Sequence, residues 1–352
     1  MPVTLPSPRL IAPDSVRSLR WGVIGTGIAG PFVHALHART TQRAVAVTAR
    51  DAAKTAAFAG EHGIDTVHGS VTELIEDPRV EVVYISTPHP LHHSQALQAI
   101  AAGKHVLVEK PVAMSAQQAQ EITDAGRAAG VLVQEAMWTR YLPQSDIVRQ
   151  VLADGLLGDV RLVRADFGFV FPFDAEHRLW NAELGGGALL DAGVYPISFA
   201  SSVLGAPTSV TAAGSLAPTG VDERADLLLV SDGATALAST SLVTRLPVEA
   251  SVIGSEGRID VLSPFFGPSG VTLTIGSGPE AEAETWRDTA FPRPNEGLGY
   301  QATAFASYVG EGRLESPIHL HAEVVSVMAT IDEARRQIAL GEPAPRPSTT
   351  PR

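Results

Sequence analysis

The sequence predicts an α/β protein: a doubly wound parallel sheet followed by an α+β unit with a mainly antiparallel sheet. Three observations carry this. Between residues 19 and 136, short apolar runs alternate with helical stretches across short loops, the pattern of a parallel sheet with right-handed crossovers. The first run leads into Gly25-Thr26-Gly27-Ile28-Ala29-Gly30, a glycine turn between a strand and a helix. Beyond about Met137, strand-like runs come in pairs around tight turns.

Residues 1–18, rich in proline and without an apolar run, read as a flexible arm and not as a signal peptide. Residues 19–25 form the first strand, with a helix from Ala29. Residues 44–48 are a second strand and 52–62 a second helix. A third strand spans 80–86, and the helix 92–102 is closed by Gly103. Strand 105–108 follows. Ser115 with Gln118 three residues on has capping-box spacing, opening a helix that Gly130 ends. Residues 131–135 complete the sheet of a first domain, 19–136. In the second, 137–341, residues 160–170 are extended. Runs 225–230 and 234–243 flank Ser-Asp-Gly, a hairpin signal. Runs 248–253, 258–262 and 271–275 extend the meander, and 321–340 has helical periodicity. Residues 342–352 read as a disordered tail.

Composition removes several classes of function. A net charge of −12 argues against nucleic acid or an anionic membrane as partner. The absence of cysteine excludes disulfides, thiolate metal sites and thiol nucleophiles, and makes the cytoplasm the default address. No run of 18 uninterrupted apolar residues is present, so no membrane span is expected.

The glycine loop has the context that dinucleotide binding requires. Gly25 permits the tight turn, Gly27 lets backbone approach a pyrophosphate, and the helix start offers free N–H donors. This is the Rossmann arrangement. The second strand then runs into Thr48-Ala49-Arg50-Asp51-Ala52-Ala53-Lys54. Arg50 and Lys54 would share a face if the helix has begun, and a guanidinium grips a 2′-phosphate well. NADP(H) is therefore favoured over NAD(H), although Asp51 would serve a ribose in an NAD enzyme.

Three further stretches converge on the C-terminal ends of these strands. Val106-Leu-Val-Glu109-Lys110-Pro111 ends a strand in an ion pair, with Pro111 holding Lys110 extended. Thr87-Pro88-His89-Pro90-Leu91-His92-His93 opens onto the same cleft, and its histidines lack the acidic or thiolate company of a metal site. Gly185-Gly-Gly-Ala-Leu-Leu-Asp191-Ala-Gly-Val-Tyr195 places an acid and a phenol four apart, with Gly193 and Pro196 interrupting any continuous helix.

Together these motifs resemble the glucose–fructose oxidoreductase/inositol dehydrogenase (Gfo/Idh/MocA) family over most of residues 19–340. Most members carry His where this chain has Tyr195. The Tyr form, with Glu135-Ala-Met-Trp-Thr-Arg-Tyr-Leu-Pro143 and the Ala-Arg-Asp stretch at 49–51, resembles the branch of dihydrodiol and NADP-dependent xylose dehydrogenases. The resemblance implies a large open sheet in the second domain that pairs subunits into a homodimer. It implies cofactor contacts from Gly25, Thr26, Gly27, Ile28, Ala29, Arg50, Lys54, Thr87, Pro88, His89, His92, Glu109 and Lys110.

The chemistry expected is hydride transfer between nicotinamide and the hydroxyl carbon of an aldopyranose or cyclic polyol. Tyr195 would exchange the hydroxyl proton, its pKa lowered by the Lys110 ammonium, and Lys110 would hold the oxygen. Asp191 would orient substrate or Lys110. Trp138, Phe167 and Trp180 would form an apolar wall, with Arg140 contacting substrate or cofactor. The alternatives are a keto-sugar or nucleotide-sugar ketoreductase, a trans-dihydrodiol dehydrogenase, and a non-catalytic sugar sensor.

Overall fold

The computed structural model describes residues 4–290 and 294–341. The chain first builds a six-stranded sheet from β1 (Arg20–Ile24), β2 (Arg43–Thr48), β3 (Thr66–Val67), β4 (Val82–Ile85), β5 (His105–Val108) and β6 (Val133–Glu135). Every neighbouring pair is parallel, in the order β3-β2-β1-β4-β5-β6. Strand order reverses between β1 and β4, and ligands of such sheets sit beyond the strand ends at that point. β4 is buried along its whole length, as expected of a strand covered on both faces.

Helices α1 (Gly30–Arg39), α2 (Ala52–His62), α3 (Val71–Glu76), α4 (His92–Ala101) and α5 (Ala116–Ala129) form the crossovers. Their ends follow local chemistry. Asp51 caps α2 by accepting from the Lys54 N–H, and Ser115 caps α5 by accepting from the Gln118 N–H. Gly63 and Gly130 close the two helices in the left-handed conformation.

After α6 (Pro143–Ala153) the chain enters an eight-stranded sheet. Its strands are β7 (Val160–Gly168), β8 (Ser209–Leu216), β9 (Asp222–Ser231), β10 (Ala234–Ser241), β11 (Ala250–Gly254), β12 (Gly257–Val261), β13 (Gly270–Ile275) and β14 (Glu282–Arg287), with α7 (Val194–Leu204) between β7 and β8. The order is β14-β13-β12-β11-β7-β10-β9-β8, antiparallel except where β7 meets β10. α7 packs on β7 and β10, and α9 (His321–Gly341) packs on β8 and β9. The other face carries exposed Leu228 and Leu237 on β9 and β10.

Three sequence-based expectations change. The arm 1–18 is not free over its described residues: Arg9 pairs with Asp146, Gln150 bonds the Ser7 carbonyl, and Leu5 packs on the core. Helix α8 (Leu298–Gly310), expected with the second domain, packs instead on α1, where Phe305 lies 5.1 Å from Trp21 of β1. The interruption expected at Gly193 and Pro196 does not occur. A π-helical stretch, Leu189–Gly193, runs directly into α7 and carries Asp191 into line with Tyr195; such stretches concentrate at functional sites. The tail 342–352 lies outside the described residues. Ala182–Leu204 is long and apolar enough to cross a membrane, yet 78% of its most apolar window is buried inside the protein.

Candidate active site

The glycine turn and the strand ends enclose a cleft of about 410 Å³, lined by Gly25, Thr26, Gly27, Arg50, Asp51, Lys54, Thr87 and Pro88 among others. Gly25 adopts φ 94°, and a side chain there would meet the Ser86 carbonyl at 2.9 Å. Beyond Gly27 the space is open, which is what close approach of a pyrophosphate needs. Ile28 is exposed, whereas Ala29 is buried beneath the turn. Arg50 precedes α2 and so does not share a helical face with Lys54, but both line the cleft. The Asp51 carboxylate is engaged at the α2 cap, with the Lys54 ammonium 3.7 Å away. Leu91, Gln95, Gly69 and Ser70 also line it; the Gly69–Ser70 segment lacked any distinguishing sequence signal.

Lys110 is presented by a turn braced from two sides. The Glu109 carboxylate accepts from the Lys110 N–H at 3.2 Å and from the Tyr84 hydroxyl at 2.6 Å. Glu135 accepts from the Val112 N–H at 2.9 Å, and burial pushes its carboxyl up to about 7. Glu109 is thus turned inward as a support for the turn, and its side chain does not line the cleft.

The ammonium donates to the Asp191 carbonyl at 2.7 Å and lies 3.7 Å from Asp191 Oδ1. It also sits 5.0 Å from the centre of the Tyr195 ring. Two stretches 81 residues apart therefore meet at one point. Burial alone would lower the lysine's pKa, but Tyr195, Asp191 and Glu109 outweigh it and hold it raised. Burial works against ionised Asp191 as well, yet Lys110 and Arg178 hold its carboxyl at about 2. The lysine is an ammonium and the aspartate a carboxylate at neutral pH.

Tyr195 departs from expectation. Burial raises its pKa above the ordinary tyrosine value, and Lys110, pulling the other way, does not overcome this. The expected depression is corrected by the surroundings. Phe167 and Phe266 each lie 5.5 Å from the ring, stacked on one another at 4.4 Å, and exclude the water that would solvate a phenolate. Trp138 completes the cluster 6.5 Å from Phe266. Phe167 and Trp138 thus share one aromatic cluster beside Tyr195 with Phe266, which the sequence did not distinguish.

Other residues take different places. His92 is fully buried and its ring nitrogens face the Pro111 and Thr87 carbonyls at 2.9 and 2.8 Å, so it ties two loops together and does not reach the cleft surface. His89 faces the Gly185 carbonyl at 3.0 Å, and burial lowers its pKa to about 3. Trp180 is 1% exposed, with its indole N–H on the Pro172 carbonyl, and cannot be a substrate wall. Arg140 is buried in an ion pair with Glu323 and borders a cavity of about 150 Å³ whose lining includes Tyr195 but none of the glycine-turn residues. Its neighbours from α6 and the start of α9 draw it there.

Sequence reasoning missed two positioning groups. Arg178 donates to Asp191 Oδ1 at 2.8 Å. Asp222, at the start of β9, accepts from the Leu189 N–H at 2.6 Å and so fixes the helix that carries Asp191 and Tyr195. Each lies in a stretch without a motif. Among the described residues, no group of three or more His, Asp or Glu is placed to hold a metal ion.

Residues 19–137 match a family described as oxidoreductases with an NAD-binding Rossmann fold, and residues 146–260 match the GFO/IDH/MocA C-terminal domain. The trans-1,2-dihydrobenzene-1,2-diol dehydrogenases of Xenopus tropicalis and Homo sapiens are each 35% identical to the chain over 335 residues. They cover 92% and 93% of it, and the chain covers 99% and 98% of theirs. Among solved structures, a 3-ketoreductase from Actinomadura kijaniata, in complex with NADP, superposes with a TM-score of 0.80 at 28% identity, over 92% of this chain and 98% of that one. A levoglucosan dehydrogenase in complex with NADH shares the fold, with a TM-score of 0.83 at 21% identity, over 92% and 98% of the two chains.

Proposed function

The chain belongs to the Gfo/Idh/MocA oxidoreductase family, and from that premise we propose that it transfers a hydride between NADP(H) and a ring carbon bearing a hydroxyl, in an aldopyranose, a cyclic polyol or a trans-dihydrodiol. The observation that carries this is the meeting of Lys110, Asp191 and Tyr195 at 2.7 Å and 5.0 Å contacts. A bound nicotinamide supplies the hydride chemistry. The residues present fit such a cofactor: a glycine turn with open space beyond Gly27, and two cations at the cleft.

Lys110, held as an ammonium, stabilises the oxygen as charge develops on it. Tyr195, held protonated, donates its proton to a carbonyl oxygen in reduction and recovers one in oxidation. Asp191 fixes Lys110 through its carbonyl. The aromatic cluster keeps water from the reacting oxygen. Retention of these three groups favours an enzyme over a sugar sensor. Arg50 and Lys54 at the cleft support NADP(H), as does the NADP complex of the 3-ketoreductase.

The uncovered face of the second sheet supports pairing of two subunits there. The absence of cysteine fits a cytoplasmic location. Nicotinamide absorbance, followed with NADP⁺ over a panel of aldopyranoses, inositols and trans-dihydrodiols, tests the activity. A silent panel beside rapid NADPH-dependent reduction of keto-sugar nucleotides would move the assignment to the ketoreductase alternative.

A further inference from the structure

We propose that Arg178 is a specificity-determining residue that, together with Asp191, binds the oxygen next to the reacting hydroxyl and so restricts the enzyme to substrates with vicinal oxygens. The inference rests on the proposed function and deepens it. Leu179 and Trp180 are 3% and 1% exposed, and the Gly186 and Gly187 N–H groups donate to the Asn181 and Leu179 carbonyls, both at 2.9 Å. Burying the two residues after Arg178 and tying the segment to the glycine run leaves Arg178 at the rim, its side chain 48% exposed. Trp180, foreseen as part of an apolar wall, thus serves as an anchor, and it is Arg178, two residues earlier, that faces outward.

The guanidinium is only partly committed. Its Nη1 donates to Asp191 Oδ1 at 2.8 Å, and among the described residues its other nitrogens have no hydrogen-bond partner. Asp191 Oδ2 likewise has none among the described residues. Lys110 spends one donor on the Asp191 carbonyl and keeps two for the reacting oxygen. The site thus offers, beside the lysine, one carboxylate oxygen that accepts and a guanidinium edge that donates.

A neighbouring hydroxyl satisfies both at once, because it is donor and acceptor. A carboxylate or phosphate there would meet Arg178 favourably but oppose Asp191. A bare CH₂ would strip water from both charges and return nothing, the circumstance in which polar sites reject deoxy analogues most strongly.

The experiment compares matched pairs with NADP⁺: D-glucose against 2-deoxy-D-glucose, and trans-cyclohexane-1,2-diol against cyclohexanol. In the unmutated enzyme, kcat/KM is expected to favour the vicinal member by about 100-fold or more. Arg178→Ala should bring the ratio below about 10, with the loss in KM for the vicinal member and little change for the deoxy member. Arg178→Lys should recover part of the ratio, and NADPH affinity should stay unchanged in both variants. Equal turnover of both members by the unmutated enzyme overturns the proposal, as does an equal loss on both members in Arg178→Ala, the mark of a merely structural arginine. If neither pair is oxidised while other members of the substrate panel are, this proposal is overturned and the functional reading stands; if the whole panel is silent, the functional reading fails and takes this inference with it.

Discussion

The Lys110 ammonium donates to the backbone carbonyl of Asp191 at 2.7 Å, joining the end of β5 to the π-helical stretch that leads into α7. The contact is to main chain, so it survives any change in the Asp191 carboxylate. The lysine is therefore positioned by the fold and tuned by the side chain. Gly185, at φ 74°, makes the junction possible, because a side chain there would meet Met114 and His89 at 2.8 and 2.9 Å.

On the proposed assignment, Tyr195→Phe keeps the ring among Phe167 and Phe266 but removes the proton. A fall in kcat of about 10²–10⁴-fold is expected, with NADPH binding unchanged by fluorescence titration. Lys110→Met should lose at least as much, since it removes the charge facing the oxygen. Near-normal kcat in Tyr195→Phe would make the phenol a packing group only.

The pH dependence follows from burial of that phenol. A pKa raised above the ordinary tyrosine value keeps the proton on through neutral pH. Reduction needs the proton, so its rate should stay level between about pH 6 and 9 and fall at higher pH. Oxidation needs the proton gone and should climb with pH over the same range without levelling. Rate profiles in both directions check this. An oxidation rate that saturates below about pH 8 would restore the depressed tyrosine that the sequence alone suggested.

Cofactor choice rests on Arg50 and Lys54 at the cleft, with the neighbouring acid engaged. Because the Asp51 carboxylate is occupied in capping α2, NADPH should bind more tightly than NADH, and Arg50→Ala should remove most of that preference. Fluorescence titration of both nucleotides measures it. Equal affinities in the unmutated protein would defeat the argument.

Much of this site was legible in the sequence because its parts are local. A glycine turn after a strand, Lys110 before a proline and the Gly-rich run to Tyr195 each announce themselves over a few residues. What escaped depends on tertiary company. The direction of the Tyr195 shift is set by burial among rings that include Phe266, distant in sequence. Trp180 and His92 carry the chemistry of a site but are fully buried, a fate no single sequence displays. β8, with its small residues from Ala212 to Ser215, has little strand character of its own and is held in place by β9 and α9. α8 joined the first sheet because Phe305 and Tyr308 pack there.

The uncovered face of the eight-stranded sheet gives a prediction about assembly. Leu228 of β9 and Leu237 of β10 stand directly opposite one another there, at 39% and 43% exposure. A homodimer or dimer of dimers is expected by light scattering at micromolar concentration, and Leu237→Lys should weaken it without loss of fold. A particle of 36.9 kDa alone would reject the pairing.

Asp222 offers a test of how the helix bearing Asp191 and Tyr195 is held. Its carboxylate accepts from the Leu189 N–H at 2.6 Å in a fully enclosed position, and burial pushes its pKa up to about 6. An unfolded aspartate ionises near 3.9, roughly two pH units lower. As pH rises from about 4 to 6, the unfolded chain therefore loses this proton while the folded one keeps it, and folding is progressively disfavoured. The cost is complete above about pH 6 and amounts to at most about 3 kcal/mol. Asp222→Asn keeps an acceptor without the charge. The stability of the unmutated protein relative to Asp222→Asn should thus fall between about pH 4 and 6 and then level off. Asp222→Ala leaves the Leu189 N–H unpaired, which costs about 1–3 kcal/mol throughout. It should also lower kcat, because the stretch carrying Asp191 loses its fixed start. Denaturant titrations across pH measure the first effect and turnover the second. A pH-independent difference between the unmutated protein and Asp222→Asn would show that burial does not shift this carboxyl, and that the hydrogen bond to Leu189 is its whole contribution.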